Sequence, residues 1–339
     1  MLALCLLITA CEANPQAPDV VPAVPAQRIA GRPVLQLPVD CRPGVDCEIQ
    51  NHVDRDPGPG VRDYRCGSLT YDGHTGVDIR IPDLPAMRAG VAVLAGADGV
   101  VARLRDGMED AAVRGRPTDA VEGVECGNGL VLDHGGGWTT QYCHLGRGSV
   151  RVAVGQTVQA GDPVGRIGLS GNTEYPHLHF TVRHDTNVID PFAPDPGTGP
   201  ACGTGVGLWS EAAARVLTYR PGAVLNAGFA GAPVEMASVE SGALTPPGPT
   251  APLVAWVRAI GLKVGDVQTL SVTGPDGSSL VDSTADPLPR DQAQRLLFAG
   301  RRAPPGGWPA GRYIADYTVR RGDVVILERQ FEHRMAAVF

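Results

Sequence analysis

The chain has 339 residues, which is long enough for two domains of ordinary size that each bury a core. Its formal net charge of -7 argues against a broad surface for nucleic acid, so we predict no nucleic-acid partner. Glycine contributes 44 residues and proline 30, too few for a disordered chain. This composition predicts many turns, short strands and few long helices.

The chain begins with an apolar run, residues 1–10, that is too short for a membrane-spanning helix of about 20 residues. Its end, Leu7-Ile8-Thr9-Ala10-Cys11, resembles the lipobox of a bacterial lipoprotein signal. An ordinary secretory signal cut near Ala13 is the alternative. Both interpretations predict export, and the lipobox predicts a periplasmic protein anchored to a membrane through Cys11. The Pro- and Ala-rich segment 12–34 is predicted to be a tether.

Six further cysteines agree with export, because an even number can form disulfides in an oxidising compartment. Many connectivities are open to six cysteines. The favoured pairing joins Cys41 to Cys47 across a short loop and Cys126 to Cys143 between the arms of a hairpin, which leaves Cys66 with Cys202. A zinc cluster of thiolates is disfavoured, because the sequence has no Cys-x-x-Cys pair.

Segment 35–200 is predicted to be an antiparallel β domain, because short apolar runs alternate with turn residues. The predicted strands are 91–94, 99–104, 129–133, 138–144, 164–167 and 178–183. Between two of them, the charged stretch 105–125 is predicted to be a long surface loop, and loops of this length in compact domains are often functional.

The segment Asp195-Pro196-Gly197-Thr198-Gly199-Pro200 strongly breaks regular structure and predicts a boundary before a second domain, 205–339. A short helix is predicted within 208–217. The predicted strands are 253–260, 269–272, 313–319 and 324–331, with hairpin turns at 274–277 and 321–323. This spacing predicts an immunoglobulin-like β-sandwich. The fold class is therefore all-β and mainly antiparallel.

Three segments of the first domain carry four histidines and one aspartate: His74 with Asp78, then His144, then His177 with His179. A catalytic zinc needs three protein ligands of these types and one open position, so the set has two side chains to spare. Because side chains alternate along a strand, His177 and His179 are predicted to share one face.

The spacing of His74 and Asp78 predicts that they lie on one side of an extended segment, since Gly73 and Gly76 disfavour a helix. Each group is a weak signal alone. A lone histidine in a strand is usually a surface or core residue, and this interpretation is given to the remaining histidines, His52, His134, His184 and His333. The joint occurrence of the three segments in one domain is what favours a zinc site.

In this order, the three segments resemble the lysostaphin-like or LytM-type zinc endopeptidases of bacterial cell walls. Those enzymes carry a His-x-x-x-Asp pair, a Tyr-x-His strand and a terminal His-x-His, and the resemblance covers about residues 65 to 192. It implies a LytM-type peptidase domain that binds Zn²⁺ and hydrolyses peptide bonds in the stems or cross-links of peptidoglycan. It also implies that His74, Asp78 and His179 are the zinc ligands. His144 and His177 become the catalytic pair, which holds and deprotonates water and stabilises the oxyanion.

The chain departs from the family pattern at two positions near the site. Thr181 stands where an acidic residue is common, which alters the support of a ligand but removes none. Cys143 beside His144 is unusual, and a disulfide there would stiffen the strand. The long loop 105–125 is expected to form one wall of the substrate groove.

A catalytically silent LytM-type regulator or binding protein of cell-wall hydrolases is the alternative function, because some relatives have lost their ligands. All five positions are filled in this chain, which argues against that loss. For the C-terminal domain, binding of wall polymer, binding of a partner and a passive spacer role all remain open.

Overall fold

The computed structural model describes residues 31–114, 118–194, 202–203 and 207–336. In this part of the chain, no helix is both long enough and apolar enough to cross a membrane. The predicted signal 1–11 with its anchor Cys11, most of the 12–34 tether and the breaker 195–200 lie outside the described residues.

The described residues of the first half form ten short strands and one short α-helix. They are β1 (Glu48–Asn51), β2 (Val77–Arg80), α1 (Leu84–Ala89), β3 (Ala92–Leu94), β4 (Gly99–Arg105), β5 (Asn128–Gly135), β6 (Trp138–Leu145), β7 (Thr157–Val158), β8 (Pro163–Arg166), β9 (His177–His184) and β10 (Asn187–Ile189). A 3-10 helix, Thr118–Val121, lies in the long loop between β4 and β5. All six strands predicted in this half are present.

Eight of these strands form one antiparallel sheet in the order β1-β2-β9-β6-β5-β4-β7, with β10 paired to the second half of β9. Strands β3 and β8 form a separate pair. Apolar side chains from one face of the large sheet form the main core, and Leu178 and Phe180 of the central strand β9 are both 0% exposed there.

The chain returns to this first core after the predicted domain boundary. Leu208, Trp209 and Leu217 are buried in it, and helix α2 (Glu211–Val216) adds Ala213. Helix α2 lies within the predicted range 208–217. Because these residues complete the first core, we propose that the two domains divide between 217 and 223 rather than between 200 and 205.

The C-terminal part consists of seven strands and one helix: β11 (Ala223–Ala230), α3 (Met236–Ser241), β12 (Leu253–Leu262), β13 (Val267–Thr273), β14 (Ser279–Thr284), β15 (Gln292–Arg301), β16 (Gly311–Arg321) and β17 (Val324–Met335). They form a three-stranded sheet, β11-β12-β15, and a four-stranded sheet, β14-β13-β16-β17. The second strand pairs with the fifth and the third with the sixth, as in immunoglobulin-like sandwiches. The prediction of a mainly antiparallel all-β chain is confirmed.

Strand β12 is buried on both faces. Ala255, Val257 and Ala259 face the core between the two sheets. On the opposite face, Trp256 packs against Val239 of α3. This double burial explains why β12 is apolar, apart from Arg258, rather than alternating.

A shared carboxylate joins the two halves. Glu240 of α3 pairs with Arg258 of β12 and, at 3.3 Å, with Arg80 of β2. Both arginine side chains are fully buried, and Arg258 also donates to the backbone carbonyl of Pro82. Burial and the nearby Arg258 lower the pKa of Arg80 to about 10, so the Arg80 guanidinium is still charged at neutral pH.

We predict that Glu240→Ala lowers the free energy of unfolding by about 3 kcal/mol, because it leaves two buried cations without their carboxylate. Urea denaturation followed by tryptophan fluorescence measures the change. The matched control is Glu332→Ala, which removes an ion pair whose side chains are both 59% exposed and should cost less than about 1 kcal/mol. Equal losses in the two variants would show that the shared carboxylate does not stabilise the junction.

Candidate metal centre

Strand pairing brings the predicted site residues together. In the antiparallel ladder of β2 with β9, Asp78 lies directly opposite His179. On the other side of β9, Cys143 of β6 is the partner of His179, so His144 follows immediately beside it. His177 precedes His179 by two residues and shares its face, as the alternation along a strand predicts.

His74 lies beside these residues, but it does not belong to the extended segment that was predicted. Strand β2 begins only at Val77, and His74 lies in a turn that follows Gly73, whose φ of 74° is left-handed. The expectation of one extended segment from His74 to Asp78 is therefore wrong. The two side chains still meet, with 3.1 Å between His74 Nε2 and Asp78 Oδ1.

Three donor atoms converge at distances that suit one metal ion. Asp78 Oδ1 lies 2.9 Å from His179 Nδ1, and His74 Nε2 lies 3.1 Å from that same nitrogen. A tetrahedral zinc with bonds near 2.0 to 2.1 Å has donor separations of about 3.3 Å. Two imidazoles and one carboxylate are also ligands that zinc accepts, so the geometry and chemistry of His74, Asp78 and His179 both fit this ion.

The other group of potential ligands within the described residues is Cys41, Asp46 and Cys47. It does not fit a metal, because its two sulfurs are joined in a disulfide. All three predicted disulfides are confirmed: Cys41–Cys47, Cys66–Cys202 and Cys126–Cys143.

The nitrogen of each ligand histidine that faces away from the donor cluster has its own partner. His74 Nδ1 donates to the carbonyl of His52 at 2.6 Å. Thr181 Oγ1 lies 3.1 Å from His179 Nε2 and can accept its N–H. These partners fix the tautomers so that both lone pairs face Asp78. Thr181 thus supports a ligand although it is not acidic.

His144 and His177 lie beside the donor cluster, with 4.7 Å between their ring centroids. Both are buried, at 7% and 5% exposure. His144 Nδ1 donates to the carbonyl of Ser170 at 2.8 Å, and His177 Nδ1 donates to the carbonyl of Tyr175 at 3.0 Å. In the neutral form of each ring, Nε2 therefore carries the lone pair.

The backbone at His144 is strained and held from both sides. Its φ is 64°, a left-handed value that is costly for a residue other than glycine. Its N–H donates to the carbonyl of Cys126 at 2.8 Å, and its own carbonyl accepts from the N–H of Gly168 at 2.9 Å. The adjacent disulfide from Cys143 to Cys126 holds the strand at the same point.

Burial and mutual contact set the charges of the cluster. Burial by itself would raise the pKa of Asp78, but the imidazoles of His74 and His177 outweigh it and hold that pKa well below its ordinary value. Burial, reinforced by the nearby His177, lowers the pKa of His144 well below its ordinary value. At neutral pH the centre therefore combines an ionised carboxylate with a His144 that is neutral and can accept a proton.

Comparison with known proteins agrees with this geometry. The model of peptidase family M23 matches residues 72–191. Residues 72–191 form a domain of peptidase family M23. The resemblance found in the sequence is thereby confirmed for this domain.

Three curated bacterial proteins are similar to part of this chain. The cell division protein DipM of Caulobacter vibrioides is 33% identical over 125 residues, or 37% of this chain and 17% of DipM. The peptidoglycan DD-endopeptidase ShyB of Vibrio cholerae is 35% identical over 69 residues, or 20% of this chain and 16% of ShyB. The DD-carboxypeptidase/endopeptidase Mpg of Neisseria meningitidis is 30% identical over 122 residues, or 36% of this chain and 23% of Mpg. The chain thus matches less than a quarter of the length of each relative.

Supporting residues that the sequence did not reveal come from β1, which precedes residues 72–191. Asn51 Nδ2 donates to Asp78 Oδ2 at 2.9 Å, and Gln50 Nε2 donates to the hydroxyl of Tyr175 at 2.8 Å. Both amides belong to β1, which was not predicted. The carbonyls that hold the histidines are backbone groups, for which side-chain identity gives no signal. His134, His184 and His333 lie outside the cluster, and His52 contributes only its carbonyl.

We predict that Gly76→Ala weakens Zn²⁺ binding to the M23 domain at least about 10-fold, the usual range for disturbed support of a metal ligand. An added Cβ would lie 2.6 Å from His179 Nε2 and 2.9 Å from the carbonyl oxygen of Phe180, so the ligand strand must shift. Competition titration against a chelating dye measures the affinity. Gly248→Ala is the control, because the nearest atom to its added Cβ is at 3.8 Å. Equal affinity in both variants would contradict the prediction.

Proposed function

We propose that this protein is an exported zinc metalloendopeptidase that hydrolyses peptide bonds in the stems or cross-links of peptidoglycan. The observation that carries the proposal is the convergence of three metal donors, His74, Asp78 and His179, beside two further buried histidines. A structural zinc site is closed by its ligands and has no use for two additional imidazoles.

The substrate and the compartment have separate support. ShyB is named a peptidoglycan DD-endopeptidase and Mpg a DD-carboxypeptidase/endopeptidase, and both are similar to part of this chain. Three disulfides are typical of a protein that folds outside the cytoplasm. We further propose a periplasmic location with a lipid anchor at Cys11, on the strength of the lipobox-like sequence.

In this proposal His74, Asp78 and His179 hold the zinc. When bound, zinc supplies a Lewis acid for the scissile carbonyl and acidifies water at its open position. Asp78 brings a negative charge and the two histidines are neutral, so the three ligands leave a net positive charge at the centre. The fixed orientations of the ligand rings mean that little reorganisation is needed when substrate binds.

His144 and His177 supply the proton chemistry. Each has its Nδ1–H directed at a backbone carbonyl, so Nε2 accepts a proton from the attacking water. Once protonated, Nε2 can donate a hydrogen bond to the oxyanion or a proton to the leaving amine. The buried, hydrogen-bonded rings keep these nitrogens in place at no further entropic cost.

We predict that His177→Ala reduces the release of new peptide ends from isolated sacculi at least about 100-fold, the usual scale for loss of a general acid–base residue. The purified chain is incubated with Zn²⁺ and sacculi, and the products are quantified by mass spectrometry. His184→Ala is the matched control, because it lies on the same strand β9 but outside the cluster.

The control variant should retain the activity of the unmodified chain. Absence of cleavage by the unmodified chain, with no difference from His177→Ala, would contradict the enzyme proposal. That result would favour the catalytically silent regulator instead.

A further inference from the structure

Helix α3 of the C-terminal part is fixed against the M23 domain. Glu240 near its end is shared by the buried Arg80 and Arg258. Arg88 of α1 donates to the carbonyl of Ser241 at 3.1 Å. Gly242, which ends α3, lies so close to Pro85 that an added Cβ would overlap the proline ring. Helix α3 is therefore held as part of the surface around the M23 site.

A cavity of about 260 Å³ lies between α3 and that site. Met236 and Ala237 of α3 line one side, and Leu84 of α1, Ala112 of the long loop and Tyr175 line the others. The cavity is thus built from both halves of the chain and from the loop between β4 and β5.

Only the side chain of Tyr175 separates the cavity from His177. The ring of Tyr175 lies 5.0 Å from that of His177, and the carbonyl of Tyr175 accepts the His177 Nδ1–H. The long loop is held beside this segment, because the N–H of Val113 donates to the carbonyl of Thr173 at 2.9 Å. An extended peptide spans about 3.3 to 3.6 Å per residue, so a peptide cleaved at the site reaches the cavity within a few residues.

The lining combines apolar side chains with an exposed ion pair. The alkyl groups of Leu84, Ala112, Met236 and Ala237 provide an apolar surface of small to medium residues. Arg114 and Glu174 form an ion pair at 2.8 Å that also lines the cavity, with side chains 69% and 48% exposed. The apolar part of this lining suits a peptide residue with a small apolar side chain.

We infer that α3 forms one wall of the substrate site, and that the cavity binds a small apolar residue of the wall peptide a few positions from the scissile bond. The inference rests on the proposed function for the identity of the peptide. It gives the C-terminal part a direct role in substrate selection.

The test measures binding, so that it does not depend on cleavage. The His177→Ala chain is titrated with purified cross-linked muropeptides by isothermal calorimetry, and the titration is repeated after adding Ala237→Trp, which fills the cavity from α3. The matched control adds Ala214→Trp instead, at an exposed alanine of the equally short helix α2. Thermal unfolding and zinc content are measured for all three chains, to confirm that each is folded.

We expect Ala237→Trp to raise the Kd for muropeptides at least 10-fold, while Ala214→Trp changes it less than twofold. Equal Kd values for the two tryptophan variants, or no binding to any of the chains, would overturn the inference. If the unmodified chain fails to cleave sacculi but Ala237→Trp still weakens binding, the result contradicts the proposed function. It still supports the cavity as a peptide-binding site.

Discussion

The candidate centre depends on the antiparallel pairing of β2 with β9. That register places Asp78 directly opposite His179 and brings both residues to the side of the sheet on which His177 lies. Because side chains alternate, a slip of one residue would turn His177 and His179 into the core and bring Leu178 and Phe180 out. The fully buried Leu178 and Phe180 therefore hold the histidines in position through their hydrophobic burial.

A second constraint acts on the histidine rings themselves. In each ring, the nitrogen that faces away from the donor cluster is hydrogen-bonded to a carbonyl or hydroxyl oxygen. The other nitrogen is therefore left to bind a metal or a proton. His144 needs the most support, because its backbone is left-handed. The disulfide from Cys143 to Cys126 and two backbone hydrogen bonds surround it. The strained backbone of His144 thus explains the unusual Cys143 beside it, because the disulfide of Cys143 supports the strand at that point.

Much of the site could be predicted from sequence, because its strongest signals are local. Alternation placed His177 and His179 on one face, and hairpin geometry paired Cys126 with Cys143. Strand β2 was missed because its sequence, Val-Asp-Ile-Arg, looks half exposed, whereas Asp78 and Arg80 are 2% and 0% exposed. Their burial depends on partners far along the chain, such as Glu240, which no local pattern reveals. The burial of residues 208–217 in the first core was not predicted, for the same reason.

We propose that the five residues divide into three metal ligands and two acid–base groups. A measurement of zinc content per chain after gel filtration, made on His179→Ala and His177→Ala, distinguishes the two roles. We expect His179→Ala to lose the metal and His177→Ala to retain about one zinc per chain, as in a site with three protein ligands. Loss of zinc from both variants, or retention of zinc by His179→Ala, would contradict that division.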